Sequence, residues 1–165
     1  MVKSIVIVGG SSDIAKSTIS SISTENYKFH ALVRDDSHTD ELSDLGVNVI
    51  LGDATSEEDI KNFISGVKES GEIHAILHCV GSFAVRPPHA MNKEAFEAVI
   101  STNLTSAFLT LSIAGKAMLS QGHGRMVFMS SVAGSLGLVN HEAISAAKGG
   151  IESVSYTHLT LPTMS

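Results

Sequence analysis

Several features that would place this chain in a special class are scarce or missing. Cys79 is the only cysteine among 165 residues, so no disulfide can form within the chain, and a reducing cytoplasm is the expected compartment. The chain has 11 basic and 17 acidic residues, a net charge of −6. No cluster of Lys and Arg is available to neutralise phosphates along a groove, so we expect no nucleic-acid partner.

Membrane and metal signals are also weak in the sequence. No uninterrupted apolar run approaches the length of a membrane span, and a strand-like run begins at residue 4, so we expect neither a membrane partner nor a signal peptide. The 8 histidines are scattered, and none forms a spaced set of metal ligands. We therefore predict no metal site.

What is present is typical of one soluble α/β domain. Apolar residues make up 43% and charged residues 17% of the chain, as in ordinary globular proteins. Short apolar runs alternate with helical patterns, an order that predicts a doubly wound parallel sheet with helices on both faces. The predicted strands are 5–8, 29–33, 47–51, 73–79 and 126–130, and the predicted helices are 13–22, 40–45, 56–68, 92–119 and 142–154.

Two of these helices have a face that the residue pattern assigns. In the first helix, Ile14, Ser17 or Thr18, and Ile22 lie on one side. The longest helix has one stripe at steps of three and four residues. The members of this stripe are Phe96, Ile100, Asn103, Ala107, Leu111, Ala114 and Met118.

Residues 9–15, Gly-Gly-Ser-Ser-Asp-Ile-Ala, connect the first strand to the first helix. Free backbone N–H groups and the helix dipole meet at such a point and favour an anion such as a pyrophosphate. An ordinary tight turn is the alternative. The carboxylate of Asp13 would lie near an incoming pyrophosphate unless it turns away to cap the helix.

This segment resembles the glycine motif of the short-chain dehydrogenases/reductases, Thr-Gly-x-x-x-Gly-x-Gly, although only Gly9 matches a motif glycine. Residues 124–134, Gly-Arg-Met-Val-Phe-Met-Ser-Ser-Val-Ala-Gly, resemble the family's fifth strand and serine loop more closely. The resemblance implies a Rossmann-type three-layer α/β/α domain over residues 1–154 that is incomplete at the C-terminus. It also implies a homodimer or tetramer formed through the long helix and the helix after it.

The resemblance also implies a nicotinamide cofactor. Arg34 stands where the second strand ends, and an arginine there favours the 2′-phosphate of NADP(H) over NAD(H); a solvated arginine paired with Asp35 or Asp36 is the alternative. Asp53 and the following alanine resemble the adenine-contacting pair, although an Asp after a strand is also common turn chemistry. The cofactor-binding residues that the resemblance assigns are Gly9, Ser11, Ser12, Ile14, Arg34, Asp53, Ala54, Val80, Gly81 and Lys148.

After the fourth strand the family has Asn-Asn-Ala-Gly, and this chain has His78, Cys79, Val80 and Gly81. Val80 and Gly81 keep the compact backbone that lets a cofactor approach. Cys79 has no basic neighbour in sequence that would lower its pKa, so we interpret it as a packed small residue and not as a nucleophile.

Family members use Asn, Ser, Tyr and Lys at the active site. The resemblance assigns three of these roles here: Asn103 anchors a water to the lysine, Ser131 binds the substrate oxygen, and Lys148 holds the nicotinamide ribose. A polar residue on the apolar stripe of a long helix also requires a hydrogen-bond partner. The tyrosine position is occupied by Ile144, and isoleucine can neither donate nor accept a proton.

His141 lies three residues before Ile144, on the same predicted helix face and with a side chain suited to proton transfer near neutral pH. It is the candidate proton donor; the alternative is that His141 and Glu142 only form a loop and a helix start.

These features predict an NADP(H)-dependent oxidoreductase acting on a small-molecule carbonyl or alcohol. The alternative is a cofactor-binding protein without turnover, acting as a sensor or an inactive partner subunit. Residues 155–165 lose the helical stripe and contain Pro162, and we interpret them as a non-native tail; a genuine loop is the alternative.

Overall fold

The structure is a computed structural model that describes residues 3–22 and 26–156. Five parallel strands form one sheet in the order β3-β2-β1-β4-β5. The predicted α/β class with a doubly wound parallel sheet is confirmed. The strands are β1 (Lys3–Val8), β2 (Tyr27–Val33), β3 (Val47–Leu51), β4 (Ile73–His78) and β5 (Arg125–Phe128).

Six α-helices accompany the sheet in the described residues: α1 (Asp13–Ser21), α2 (Thr39–Asp44), α3 (Glu57–Ser70), α4 (Lys93–Ile100), α5 (Ser106–Gln121) and α6 (Glu142–Tyr156). A π-helical turn, Ser101–Thr105, joins α4 to α5 without a break. The long helix predicted for 92–119 is therefore one continuous helix with an irregular turn at its centre.

The sheet is buried on both faces. Along β1, Val6 and Val8 pack beneath α3 and α5, whereas Ile5 and Ile7 pack beneath α1 and α2. This is why β1 is a continuous β-branched run and does not alternate with polar residues.

The predicted face of α1 is wrong at Ile14 and Ser17, which are exposed, although Ile22 packs against the core as predicted. Ala15 and Ile19 pack on the sheet, whereas Ile14 is 52% exposed. The small side chain of Ala15 lets the helix approach the strands closely. The face that contacts the sheet is therefore the one with a small side chain, and not the one with the largest apolar residues. In the long helix, Asn103, Ala107, Leu111, Ala114 and Met118 are buried as predicted, but Phe96 is exposed because α4 packs against α6 and not against the sheet.

One helix in the described part of the chain, Lys93–Gln121, is long and apolar enough to cross a membrane by length and composition alone. This differs from the expectation that no segment approaches that length. It is weak evidence for a membrane span because core helices of soluble proteins pass the same test.

The end of α6 also differs from the prediction. The helix continues through Ser155 and Tyr156, two residues beyond the predicted boundary. The remainder of the proposed tail, 157–165, lies outside the described residues.

Candidate cofactor and active site

The candidate site lies at the carboxyl edge of the sheet, where parallel strands of open α/β folds bind ligands. Gly9 follows β1, Arg34 follows β2, and Cys79 follows β4. Because the strands are parallel and adjacent, the sequence-predicted residues after each strand come to the same edge.

Glycine is required at the turn that leaves β1. Gly9 has a φ of +87°, and a Cβ at this position would lie 2.9 Å from the backbone nitrogen of Val80. A Cβ on Gly10 would lie 2.6 Å from the Cβ of Ala31. The turn therefore packs its backbone directly against neighbouring strands, which only glycine permits.

The N-terminus of α1 has unpaired donors. The Ser12 hydroxyl accepts from the amide of Ala15 at 3.2 Å, and the first intrahelical bond runs from Lys16 N to the Ser12 carbonyl at 3.0 Å. The amides of Asp13 and Ile14 precede that bond and have no partner within the helix. Ser12, and not Asp13, is thus the cap. The Asp13 side chain is fully exposed, 4.0 Å from the Lys16 ammonium. The turn and the free amides fit a pyrophosphate.

The residues predicted to contact the adenosine half of the cofactor already interact with other residues of this chain. The Arg34 side chain is 82% exposed, and its Nε lies 4.0 Å from the Asp35 carboxylate, so part of the alternative pairing is present. Asp53 Oδ1 accepts from both the amide and the hydroxyl of Thr55 at 2.8 Å. These hydrogen bonds hold the pKa of the Asp53 carboxyl below its ordinary value. Asp53 thus also stabilises the turn after β3, which is the alternative interpretation of this residue. Ala54 is buried.

Asn103 lies fully buried inside the π-helical turn, a kind of irregularity that is frequent at functional sites. Its Oδ1 accepts from the amide of Ser82 at 3.3 Å, and its Nδ2 donates to the Ser82 hydroxyl at 3.0 Å and to the Val99 carbonyl at 3.0 Å. The side chain therefore fastens the long helix to the segment that follows β4. Ser82 was not identified from the sequence because its role depends on this turn.

Gly81 lies between two of the predicted catalytic residues. A Cβ on Gly81 would be 3.2 Å from Asn103 Oδ1 and 3.6 Å from Lys148 Nζ. Lys148 Nζ donates to the carbonyl of Met129 at 2.8 Å, and burial lowers the pKa of Lys148. Three residues assigned from separate parts of the sequence thus meet at one point.

Ser131 begins a 3₁₀ turn, Val132–Gly134, and its hydroxyl accepts from the amide of Ala133 at 3.2 Å. This turn lies against the helix of Lys148 because two glycines face each other. A Cβ on Gly134 would lie 3.1 Å from Gly149 N, and a Cβ on Gly149 would lie 3.3 Å from the Gly134 carbonyl oxygen. This glycine pair, visible in the sequence but not interpreted there, sets how closely the serine turn approaches α6.

A hydrogen bond not foreseen from the sequence also connects the segment after β5 to α6. The Ser130 hydroxyl donates to Glu152 Oε1 at 2.6 Å. Two residues adjacent in sequence, Ser130 and Ser131, therefore serve different partners.

Ile144 is 3% exposed and belongs to an apolar cluster. The other members are Val99, Ala133 and Ala143, with Ala84 and Met91 packed against them. The position that carries tyrosine in the resembling family is thus part of a small packed core.

His141 immediately precedes α6. Its Nδ1 lies 2.7 Å from the carbonyl of Val139, so Nδ1 carries a proton and Nε2 remains available. The ring packs edge-on against Phe83, with centroids 5.7 Å apart. The His141 carbonyl accepts from Ser145 N at 2.8 Å. His141 thus also takes part in the start of α6, which is the alternative interpretation of this residue.

His78 is fully buried, with Nε2 3.0 Å from the hydroxyl of Ser106. That hydroxyl donates to the Thr102 carbonyl at 2.6 Å, so His78 Nε2 is the donor in this pair. Burial, reinforced by the charge of Lys148, lowers the pKa of His78 to about 4. Cys79 is half-buried against the core, and burial raises the pKa of its thiol, as expected of a packed residue.

Comparison with known proteins gives consistent matches. A family model described as short chain dehydrogenase matches residues 3–159. The 3-oxoacyl-[acyl-carrier-protein] reductase MabA of Mycobacterium tuberculosis is 27% identical over 150 residues, covering 90% of this chain and 59% of its own length. A tropinone reductase homolog of Arabidopsis thaliana is 25% identical over 158 residues, covering 91% of this chain and 59% of its own length. The chain thus spans about 59% of the length of these relatives.

Solved structures share the fold. Levodione reductase superposes with a TM-score of 0.88 at 22% identity, covering 94% of this chain and 64% of that protein. The actinorhodin polyketide ketoreductase F189W variant with NADPH has a TM-score of 0.86 at 23% identity, covering 95% and 64%. NAD⁺-bound xylitol dehydrogenase has a TM-score of 0.86 at 24% identity, covering 94% and 63%. At these identities the likeness concerns the fold.

Proposed function

Since the chain belongs to the short chain dehydrogenase family, we propose that it is an NADP(H)-dependent oxidoreductase that interconverts a carbonyl and an alcohol. The observation that carries this proposal is the meeting of Asn103 and Lys148 at Gly81. Side chains from a π-helical turn and from α6 converge there on the backbone after β4. A structural core has no need of an ammonium group at such a point, since burial of a charge is costly.

The residues at the sheet edge fit the parts of a dinucleotide. The free amides at the start of α1 would hold the pyrophosphate, and Lys148 would hold the nicotinamide ribose. Three structural neighbours hold NADPH or NADP and another holds NAD⁺. The preference for NADP(H) therefore rests on Arg34, whose exposed guanidinium can pair with a 2′-phosphate.

When bound, the nicotinamide supplies or accepts the hydride. Ser131 would then donate a hydrogen bond to the substrate oxygen. His141 would transfer the proton through Nε2, because Nδ1 is held by the Val139 carbonyl. Ile144, buried among apolar side chains, takes no part in proton transfer.

The cofactor preference can be tested with Arg34→Ala. Loss of a charge-assisted contact should weaken NADPH binding by roughly 1–3 kcal/mol and leave NADH binding nearly unchanged. Calorimetric titration of both cofactors measures the difference. Arg125→Ala is the matched control because Arg125 is also exposed but begins β5, at the opposite edge of the sheet. Equal affinities for the two cofactors, unaltered by Arg34→Ala, would refute the assignment.

The second candidate function is an NADP(H)-binding protein without turnover, acting as a sensor or an inactive partner subunit. The burial of Ile144 in an apolar cluster favours it. In this case the wild-type chain binds NADPH but reduces no carbonyl compound, and His141→Ala changes nothing. Ile144→Tyr should then create weak carbonyl reduction, since Ser131 and Lys148 already lie on the elements beside it.

We also propose a homodimer or tetramer in the cytoplasm, formed through the long helix and α6. The apolar side chains that these helices place together support this arrangement; they are Leu104, Ala107, Phe108, Leu111 and Ile151. Sedimentation of the wild type against Phe108→Glu tests it, because Phe108 is exposed on this face.

A further inference from the structure

The outer edge of β3 is unpaired. β3 is the last strand of the sheet, and among the described strands it pairs with β2 alone. The amide of Gly52 donates to the carbonyl of Val33 on β2 at 2.9 Å, and alternate residues of a parallel strand bond to opposite neighbours. The amides and carbonyls of Val47, Val49 and Leu51 therefore point away from the sheet.

β3 lacks the features that usually protect an edge strand. Its residues are Val-Asn-Val-Ile-Leu, without a charged residue or a proline, and its register with β2 is regular from Val47 to Leu51. Leu51 is 59% exposed. Charges, prolines and bulges are the devices that prevent pairing with another chain. The edge of β3 is thus able to receive a further strand.

A groove of about 280 Å³ lies beside this edge, between β3 and α3. Phe63 and Val67 of the buried core form its floor, and Asn48 and Asp59 are polar residues of its lining. A Cβ on Gly66 would meet no atom within 4 Å, so α3 leaves the groove open at that point. An apolar floor with a carboxylate at one end suits a side chain that has an apolar stem and a cationic head.

The charge around the edge selects the kind of strand that can bind. Residues 35–60, which contain α2, β3 and the start of α3, include 9 acidic residues and no Lys or Arg, whereas the rest of the chain has 8 acidic and 11 basic residues. Lysines outside this range pair with Glu41 and Glu57. Asp44 is exposed three residues before β3 and has no ion pair within the described part of the chain. This charge attracts a basic segment and repels a second copy of the same edge.

We propose that β3 binds an extended segment of another protein that carries Lys or Arg at alternate positions. The segment adds to the sheet as a further strand, and its backbone pairs with the outward amides and carbonyls of β3. Its cationic side chains lie over the groove towards Asp59. This inference does not depend on the proposed function, because β3 is at the end of the sheet far from β5.

The test uses the full chain and three fluorescently labelled hexapeptides, titrated by anisotropy. One alternates Lys and Val, the second alternates Glu and Val, and the third is the basic peptide with every backbone amide N-methylated. The basic peptide should bind at least about tenfold more tightly than either of the others. Its affinity should fall as the salt concentration rises.

Variants locate the binding at the edge of β3. Val49→Pro removes one outward amide and no bond to β2, since proline is tolerated in an edge strand. It should weaken the basic peptide by about fivefold or more, whereas Val49→Ala, which shortens the same side chain and keeps the amide, should not. Asp44→Lys should weaken it roughly threefold, whereas Glu94→Lys, the same change of charge on α4, should not. Circular dichroism verifies folding, and if Val49→Pro fails to fold, the N-methylated peptide decides.

Four results would overturn the inference. Equal affinity of the N-methylated peptide would mean that charge alone binds it, without strand addition. Equal affinity of the acidic peptide would refute selection by charge. No binding of the basic peptide at millimolar concentration would refute the site itself. A wild-type dimer that dissociates in Val49→Pro, measured by sedimentation, would show that a second copy occupies the edge.

Discussion

The cofactor end and the catalytic end of this molecule have tolerated substitution in opposite ways. At the cofactor end only Gly9 keeps the family's glycine pattern, yet the turn still closes against β4 and leaves the first amides of α1 unpaired. At the proposed catalytic end Asn103, Ser131 and Lys148 stand at the positions that the resemblance assigns, yet Ile144, at the position that it assigns to tyrosine, is a packed core residue.

The difference teaches which part of each site does the chemistry. A pyrophosphate is bound by backbone amides and a helix dipole, so many side chains around it can change as long as the turn still forms. Proton transfer requires one side chain of a suitable type at one position. A chain that keeps most of a binding turn is therefore expected to bind still. A chain that keeps most of a set of catalytic residues can nevertheless be inactive.

The largest expected effect concerns turnover, and it tests whether the proposed catalytic end has lost its proton donor. If His141 supplies the proton that Ile144 cannot, His141→Ala should reduce turnover by roughly 10²–10⁴-fold while NADPH affinity stays the same. Steady-state kinetics on a panel of ketones measure the turnover, and calorimetric titration measures the NADPH affinity, with His123→Ala, at an exposed histidine beside Glu72, as control. Robust turnover that survives the substitution would mean that another group moves the proton.

A second test asks whether position 144 has become a structural residue. Because Ile144 is 3% exposed within an apolar cluster, Ile144→Ala should lower the free energy of unfolding by roughly 2–5 kcal/mol. Urea denaturation provides the value, and Leu119→Ala, at an exposed apolar residue, should change it by about 0.5 kcal/mol or less. A loss no larger than that of the control would show that Ile144 adds no stability through this cluster and that position 144 is not a structural residue.

A third test concerns His78, which replaces a family asparagine at the boundary of the two ends. Its pKa is about 4 in the folded protein and about 6.5 in an unfolded chain. Above pH 6.5 the side chain is neutral in both states. As the pH falls towards 4 the unfolded chain takes up a proton that the folded one does not, so the free energy of unfolding should fall by roughly 3 kcal/mol.

Urea denaturation between pH 7 and pH 4 measures this loss. His78→Asn removes the titrating group and should flatten the curve, whereas His123→Asn should not. Curves of identical slope for the wild type and His78→Asn would show that His78 takes up its proton equally well in the folded state.

The smallest expected effect sharpens the comparison at the cofactor end. Ser12→Ala removes the cap of α1 and should cost about 1 kcal/mol of stability. It should weaken NADPH binding only slightly, because the donors are backbone amides. Ser20→Ala on the same helix is the control, since the Ser20 hydroxyl only returns to a carbonyl within the helix. A large loss of NADPH affinity would mean that the Ser12 side chain itself holds the cofactor.

The fold was largely predictable because its signals are local. The β3 boundaries follow from a short apolar run between turn residues, and α3 begins after a Ser56 cap with three acidic residues in its first turn. The face of α1 was not predictable in this way, because it depends on how closely Ala15 lets the helix approach the sheet. The irregular turn at the centre of the long helix was missed because a π-helical turn leaves no compositional mark.

The candidate site was predictable from the sequence only where its function depends on particular side chains. Lys148 and Asn103 could be assigned from motif positions, but the carbonyl of Met129 that holds Lys148 is a backbone group, which any residue would provide. Likewise, the choice of Ser12 over Asp13 as the cap depends on the path of the turn from Gly9. Motifs identify the side chains of a site, whereas the scaffold that orients them appears only when the chain is folded.

The π-helical turn has a consequence for how sequences related to this one should be aligned. Its hydrogen bond runs from Ser106 N to the Ser101 carbonyl, five residues back, so the turn contains one residue more than a regular helix needs. In a relative with one residue fewer between these positions, a regular helix would turn the side-chain amide equivalent to that of Asn103 away from Ser82. A single-residue gap here would therefore mark the loss of the hydrogen bonds that fasten the long helix to the segment after β4.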